Sequence, residues 1–188
     1  MRVTGGQFRG RALAEPPDNR VRPTSDKVRQ AIFNILAHND FGLALEGAKV
    51  IDLFAGTGAL GIEALSRGAA FALFVDDSAE SRGLIRGNVE TLSLTGVTKI
   101  WRRDATDLGP MAAGSGGPFD LAFLDAPYRM GLTEKALASL VAGTWLTSGG
   151  IAVAETAQDE TLATPAGLRE IDRRSYGETA LYIFASSA

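Results

Sequence analysis

The segment VIDLFAGTGALG, residues 50–61, constrains this chain more than any other stretch. A short apolar run ends in a glycine loop, and the loop opens into helical sequence. Glycines suit a turn where the backbone takes unusual φ and passes close to a ligand. The alternation then repeats. The apolar runs AFALFVD, TKIWRRD, FDLAFLD and GGIAVAE are separated by helical segments near 78–94, 105–112 and 131–142. These runs are apolar throughout rather than at every second residue, as in strands buried on both faces of a parallel sheet. The pattern predicts a doubly wound α/β sheet, mostly parallel, with helices on both faces. The tail LREIDRRSYGETALYIFAS reads as two strands joined by a tight turn at YGET, an antiparallel hairpin at the sheet edge.

Upstream of the glycine loop, residues 1–14 read as a short β-hairpin with glycines at its turns. PPDNRVRPT (16–24) cannot be regular helix, because proline fixes φ and removes a donor. Thr24 or Ser25 is the expected N-cap of a helix with Val28, Ala31, Ile32, Ile35 and Leu36 on its apolar face. Lys27, Arg29, Gln30 and Asn34 form the other face. The 188 residues suit one domain, a basic N-terminal extension over 1–38 and a core over 49–188.

The absence of cysteine excludes disulfides, iron–sulfur clusters and a thiol nucleophile. No apolar run is long enough to span a membrane, and the N-terminus lacks the apolar stretch of a secretory signal. A cytoplasmic, metal-free protein acting as a monomer is expected. The net charge of −3 divides unevenly, +4 over residues 1–38 and −7 over the remainder. A basic arm on an acidic body suits phosphate contact by the arm and a cationic small molecule on the body.

Asp52 sits in the strand just before Gly56 and Gly58, with Gly61 following. The spacing GTGALG also fits a dinucleotide loop, which would place pyrophosphate on the helix N-terminus. A carboxylate just before the loop disfavours pyrophosphate and favours a cation. Asp76 ends the second strand, where a carboxylate accepts ribose hydroxyls. Asp104 and Ala105 end the third, beside an expected adenine.

FDLAFLDAPY carries the chemistry. Asp125, Ala126, Pro127 and Tyr128 follow an apolar strand at the ligand-binding edge of the sheet. An exocyclic base amine is a poor nucleophile, because its lone pair is delocalised into the ring. Acceptors on its two hydrogens localise that pair. The Asp125 carboxylate and the Ala126 carbonyl can supply them and stabilise charge developing on nitrogen. Tyr128 offers a face for an extruded base, and Pro127 stiffens the turn.

With these residues in place, the chain resembles the bacterial 16S rRNA (guanine-N2) methyltransferases acting on the small ribosomal subunit. The resemblance runs through RVTGGQFRGRAL, RPTSDKVRQAIFNIL (22–36), DLFAGTGALGIEALSRGA (52–69), FVD (74–76), RDA (103–105) and the D-x-P-Y turn. RPTSDKVRQAIFNIL is its most specific part. It implies a Rossmann-like S-adenosylmethionine-dependent methyltransferase fold, with a seven-stranded sheet preceded by an N-terminal hairpin and helix. It places Asp52, Gly56 and Gly58 at the methionine end of S-adenosylmethionine, with Phe54 and Thr57 in the same loop. It places Asp76 and its neighbour Asp77 at the ribose, and Asp104 with Ala105 at the adenine. Residues 125–128 would hold the guanine, and Arg9, Arg11, Arg22 and Arg29 would face 16S rRNA or close over the cofactor. One departure is plain. The usual turn is Asp-Pro-Pro-Phe/Tyr, and Ala126 here keeps the carbonyl but loses the proline's rigidity.

Two other readings stay open on the sequence. One is a DNA adenine-N6 or protein glutamine methyltransferase, which usually carries Asn at the position of Asp125. The other is a Rossmann-like NAD-binding protein, which leaves the DAPY turn without a role. His38 is read as a helix-end residue, and Trp101 and Trp145 as packing. Glu155 ends the fifth strand, either lining the pocket or meeting solvent.

Overall fold

The computed structural model describes residues 1–18 and 24–187. Its centre is a seven-stranded sheet. In chain order the strands are β1 (Lys49–Leu53), β2 (Phe71–Val75), β3 (Thr98–Trp101), β4 (Phe119–Leu124), β5 (Leu146–Ala157), β6 (Leu168–Tyr176) and β7 (Thr179–Ser186). Their spatial order is β3-β2-β1-β4-β5-β7-β6. The first five pair in parallel, and β7 pairs antiparallel with both β5 and β6. The tail hairpin turns at Gly177, whose φ of 59° lies in the left-handed region that glycine adopts readily. The fold is the Rossmann-like methyltransferase architecture that the alternating pattern and the resemblance implied.

The central strands are apolar because both faces are covered. Val50, Ile51 and Leu53 of β1 and Leu121, Phe123 and Leu124 of β4 are almost fully buried. Each such side chain contributes about 1.5–3 kcal/mol through removal from water. The helices are α1 (Asp26–His38), α2 (Ala59–Ser66), α3 (Ala79–Thr91) and α4 (Leu132–Ala142). Ile32, Phe33 and Leu36 of α1 pack against β1, β4 and β5, while Leu137 and Leu140 of α4 join the cluster on the other face. Trp145 is fully buried, and its indole N–H donates to the Gly109 carbonyl at 2.8 Å.

Two expectations need correction, the helix over 105–112 and the extent of the N-terminal hairpin, and one alternative is decided, the N-cap of α1. No helix forms over 105–112. The Asp107 amide bonds the Asp104 carbonyl for a single turn, and then Gly109 takes φ 68° and Pro110 has no amide to continue. The N-cap of α1 is Ser25, whose hydroxyl accepts from the Val28 amide. Thr24 is used elsewhere. The N-terminal hairpin is reduced to one antiparallel bridge, Arg2 to Ala12, supported by the Val3–Arg11 and Leu13–Met1 backbone bonds.

That arm is fixed to the body. Val3 and Leu13 bury themselves beside Ile62, Phe74 and Val89. The Asn88 amide on α3 donates to the carbonyls of Ala14 and Thr57, so it ties the arm to the glycine loop.

Candidate active site

Strand order reverses between β1 and β4, and the loops leaving their carboxyl ends form the place where such sheets bind ligands. The glycine loop leaves β1 and the DAPY turn leaves β4. Between them lies a cleft of about 430 Å³, within the range of about 300–1,000 Å³ usual for small-molecule sites. Phe54, Gly56, Asp76 and Asp77 line one part of it. Asp125, Ala126, Pro127 and Tyr128 line the other. Ser81 and Glu155 complete the wall. Four of these residues are acidic and none of the described lining residues is Lys or Arg.

The glycine loop is shaped from behind. Phe54 takes φ 55°, and Gly56 and Gly58 take 60° and 81°. Gly61 fits because a Cβ there would lie 2.4 Å from a Phe74 ring carbon. Its amide donates to the Asp52 carboxylate at 2.9 Å. Asp52 is almost completely buried and stands behind the loop, not in the cleft wall. Burial pushes its carboxyl up to about 8, with the Asp76 charge adding and the Gly61 amide opposing. A cation brought to the loop would pull that value down.

Asp76 joins two elements. One carboxylate oxygen accepts from the Gly56 amide and the other from the Ser78 amide, each at 2.9 Å. Each oxygen keeps a second lone pair toward the cleft. Asp104 is exposed and turns Oδ1 onto the Thr106 amide and hydroxyl, which hold its carboxyl below the ordinary range. Ala105 is buried beneath it. Asp104, Ala105, Thr57 and Gly58 do not line the main cleft.

At the DAPY turn, the Thr24 hydroxyl donates to Asp125 Oδ2 and lies 3.4 Å from Glu155 Oε2. The Tyr128 hydroxyl donates to Glu155 Oε1 at 2.6 Å and meets the Thr179 hydroxyl at 3.1 Å. Burial first, and then the Glu155 charge, hold the Asp125 carboxyl well above the ordinary carboxylate value. Burial and the bond to Glu155 also raise the Tyr128 phenol.

The arginines divide. Arg9 and Arg11 are exposed. Arg22 lies outside the described residues. Arg29 does not face RNA: its side chain is fully buried, with Nε 3.2 Å from Glu63 and Nη2 2.7 Å from Asp26. Glu63 of α2 and the Arg2 carbonyl of the N-terminal arm close over position 29. Sequence reasoning missed Glu63, Thr24 and Asn88 as structural partners because each bonds a residue remote in the chain.

The family model described as Conserved hypothetical protein 95 matches residues 1–185. The chain belongs to this family. Among curated relatives of this family member, "Putative rRNA methyltransferase YlbH" of Bacillus subtilis is 35% identical over 185 residues, 98% of each chain. "Ribosomal RNA small subunit methyltransferase D" of Escherichia coli is 35% identical over 190 residues, covering 100% of this chain and 91% of that one. Among solved structures, "Putative methyltransferase yhhF from Escherichia coli" superposes with a TM-score of 0.82 at 29% identity, covering 100% of this chain and 98% of that one. The resemblance drawn from the sequence is borne out at the level of the family.

Proposed function

We propose that this family member is an S-adenosylmethionine-dependent methyltransferase that methylates the exocyclic N2 amine of a guanine in small-subunit rRNA. The observation that carries the reading is the cleft at the strand switch point, bounded by a glycine loop and the DAPY turn and lined, among the described residues, by four acids and no Lys or Arg. Pyrophosphate would be repelled there, whereas a cofactor bearing an ammonium and a sulfonium gains from Asp76 and Asp77 beside the glycine loop. The names of full-length relatives point the same way.

When bound, S-adenosylmethionine supplies an electrophilic methyl group. Asp76 would accept its ribose hydroxyls, and the Gly56 turn leaves room beside the backbone for its methionine end. Asp104 and Ala105, at the end of β3, would meet the adenine at the cleft's margin. Asp125 and the Ala126 carbonyl would address the base. Guanine presents N1–H and N2–H₂ side by side, so the two oxygens of Asp125 can accept one hydrogen from each. The Ala126 carbonyl takes the remaining N2 hydrogen. Adenine, with an acceptor at N1, opposes this arrangement, and an Asn at position 125 would suit adenine better. The raised Asp125 carboxyl is also suited to receive the proton that N2 releases on methylation. Exposed Arg9 and Arg11, on an arm tied to the glycine loop, would contact RNA phosphates.

Calorimetric titration tests the cofactor assignment. S-adenosylmethionine is expected to bind and NAD to give no heat. Asp76→Ala should weaken binding about 10- to 100-fold, as expected for charge-assisted hydrogen bonds to two hydroxyls. Unchanged affinity would remove Asp76 from the ribose site.

A further inference from the structure

We infer that Glu155 is the positioning residue of the methyl-transfer turn, an assignment that rests on the methyltransferase reading of the cleft. It holds both ends of residues 125–128 from a neighbouring strand. Ala154 of β5 pairs with Leu124 of β4, which brings Glu155 level with Asp125. The Glu155 side chain is only 5% exposed, so its contacts are protein contacts. Oε1 accepts the Tyr128 hydroxyl at 2.6 Å, at the far end of the turn. At the near end, the Thr24 hydroxyl donates to Asp125 Oδ2 and lies 3.4 Å from Glu155 Oε2, so one hydroxyl bridges the two carboxyls. Arg29 in turn holds the Thr24 carbonyl at 3.3 Å.

This arrangement answers the loss of rigidity at Ala126. A second proline would stiffen the turn from within, through its ring. Here the brace comes from outside: the buried Glu155 carboxylate takes the Tyr128 hydroxyl at the last residue of the turn and reaches the first through the Thr24 hydroxyl. Such fixing before substrate arrives is what positions a nucleophile for in-line attack. The brace also sets the protonation of Asp125. Two neighbouring carboxyls retain a proton to a higher pH than a lone one. The groups facing Asp125 are Glu155 from β5, Thr24 from the segment before α1, Asp52 from β1 and Tyr128 from its own turn. Thr179 of β7 acts through Tyr128. Arg29 reaches only the Thr24 carbonyl in this group, and among the described residues no cation offsets the pair directly.

Single-turnover methyl transfer to unmodified small ribosomal subunits, measured against pH, tests the assignment alongside calorimetric S-adenosylmethionine binding. The wild-type rate should rise with pH as Asp125 ionises, with an acid limb above the ordinary carboxylate range. Glu155→Gln keeps an acceptor for Tyr128 and removes the neighbouring charge. Its acid limb should move down by about one pH unit or more, with a plateau within about tenfold of wild type. Glu155→Ala also releases Tyr128, and its plateau should fall about 100-fold. Cofactor affinity should stay within about threefold in both. An acid limb in Glu155→Gln that coincides with wild type overturns the proposal. So does cofactor affinity that falls in step with the rate. A wild-type protein that binds the cofactor but transfers nothing at any pH overturns the underlying reading as well, and is told apart by that control.

Discussion

Asp125→Ala is expected to lower the rate of methyl transfer about 1,000-fold while S-adenosylmethionine affinity stays within about threefold. The side chain serves the base, not the cofactor. Its carboxyl faces the cleft, takes the Thr24 hydroxyl and lies against Glu155. Removing it leaves the amine with one acceptor, the Ala126 carbonyl, and nothing to receive the released proton. The Thr24 hydroxyl and the Glu155 carboxyl have other partners, so the fold should persist. Rapid-quench transfer assays and calorimetry on the same preparation check both quantities. Equal loss of transfer and cofactor binding would make Asp125 a structural residue.

The second large effect concerns stability. Glu63→Ala should destabilise the protein by about 3–5 kcal/mol, since breaking a buried ion pair leaves a buried charge poorly compensated. Glu63 is fully buried on α2 and gathers four donors. The Thr4 amide reaches Oε2 at 2.9 Å and the Thr4 hydroxyl reaches Oε1 at 2.6 Å. Arg29 Nε lies at 3.2 Å and Arg67 Nε at 3.1 Å. Arg29, with no exposed surface, would keep only the half-exposed Asp26 as a charged partner. The melting temperature should fall by about 10 °C, given about 2–4 °C per kcal/mol for a chain of this size. Circular dichroism melts measure it. A drop under about 2 °C would mean that the arm and α1 find substitute partners on losing the carboxylate.

The Glu63 network also marks where sequence reading reached its limit. The sheet was legible because parallel strands buried on both faces are largely apolar: β2 is apolar throughout, and β1 and β4 are broken only by Lys49, Asp52 and Asp120. The glycine loop was legible because its φ values and the close Phe74 ring leave few alternatives to glycine at positions 56, 58 and 61. Arg29 was not. A charged residue in a helix reads as solvent-facing, and its partner Glu63 lies 34 residues away in a segment that itself reads as a helix surface. Thr24 was visible only as a cap, because its bond to Asp125 spans 101 residues. The absent helix over 105–112 follows from Gly109 and Pro110, which outweigh a short helical pattern. In the candidate site, most of the lining residues sit at or just past the ends of β1, β2, β4 and β5, whereas Asp104 and Ala105 follow β3 without lining the cleft and Ser81 comes from α3. Glu155 shared a strand-end position, but its role depends on neighbours from β4, β7 and the segment before α1, which no single stretch displays.

The most direct test of the account is transfer of labelled methyl from S-adenosylmethionine to small ribosomal subunits taken from cells lacking this protein, followed by nucleoside analysis of the RNA. The account predicts label in 16S rRNA, recovered as N2-methylguanosine. Intact cofactor binding with label absent from that RNA, or recovered on a different nucleoside, would contradict it.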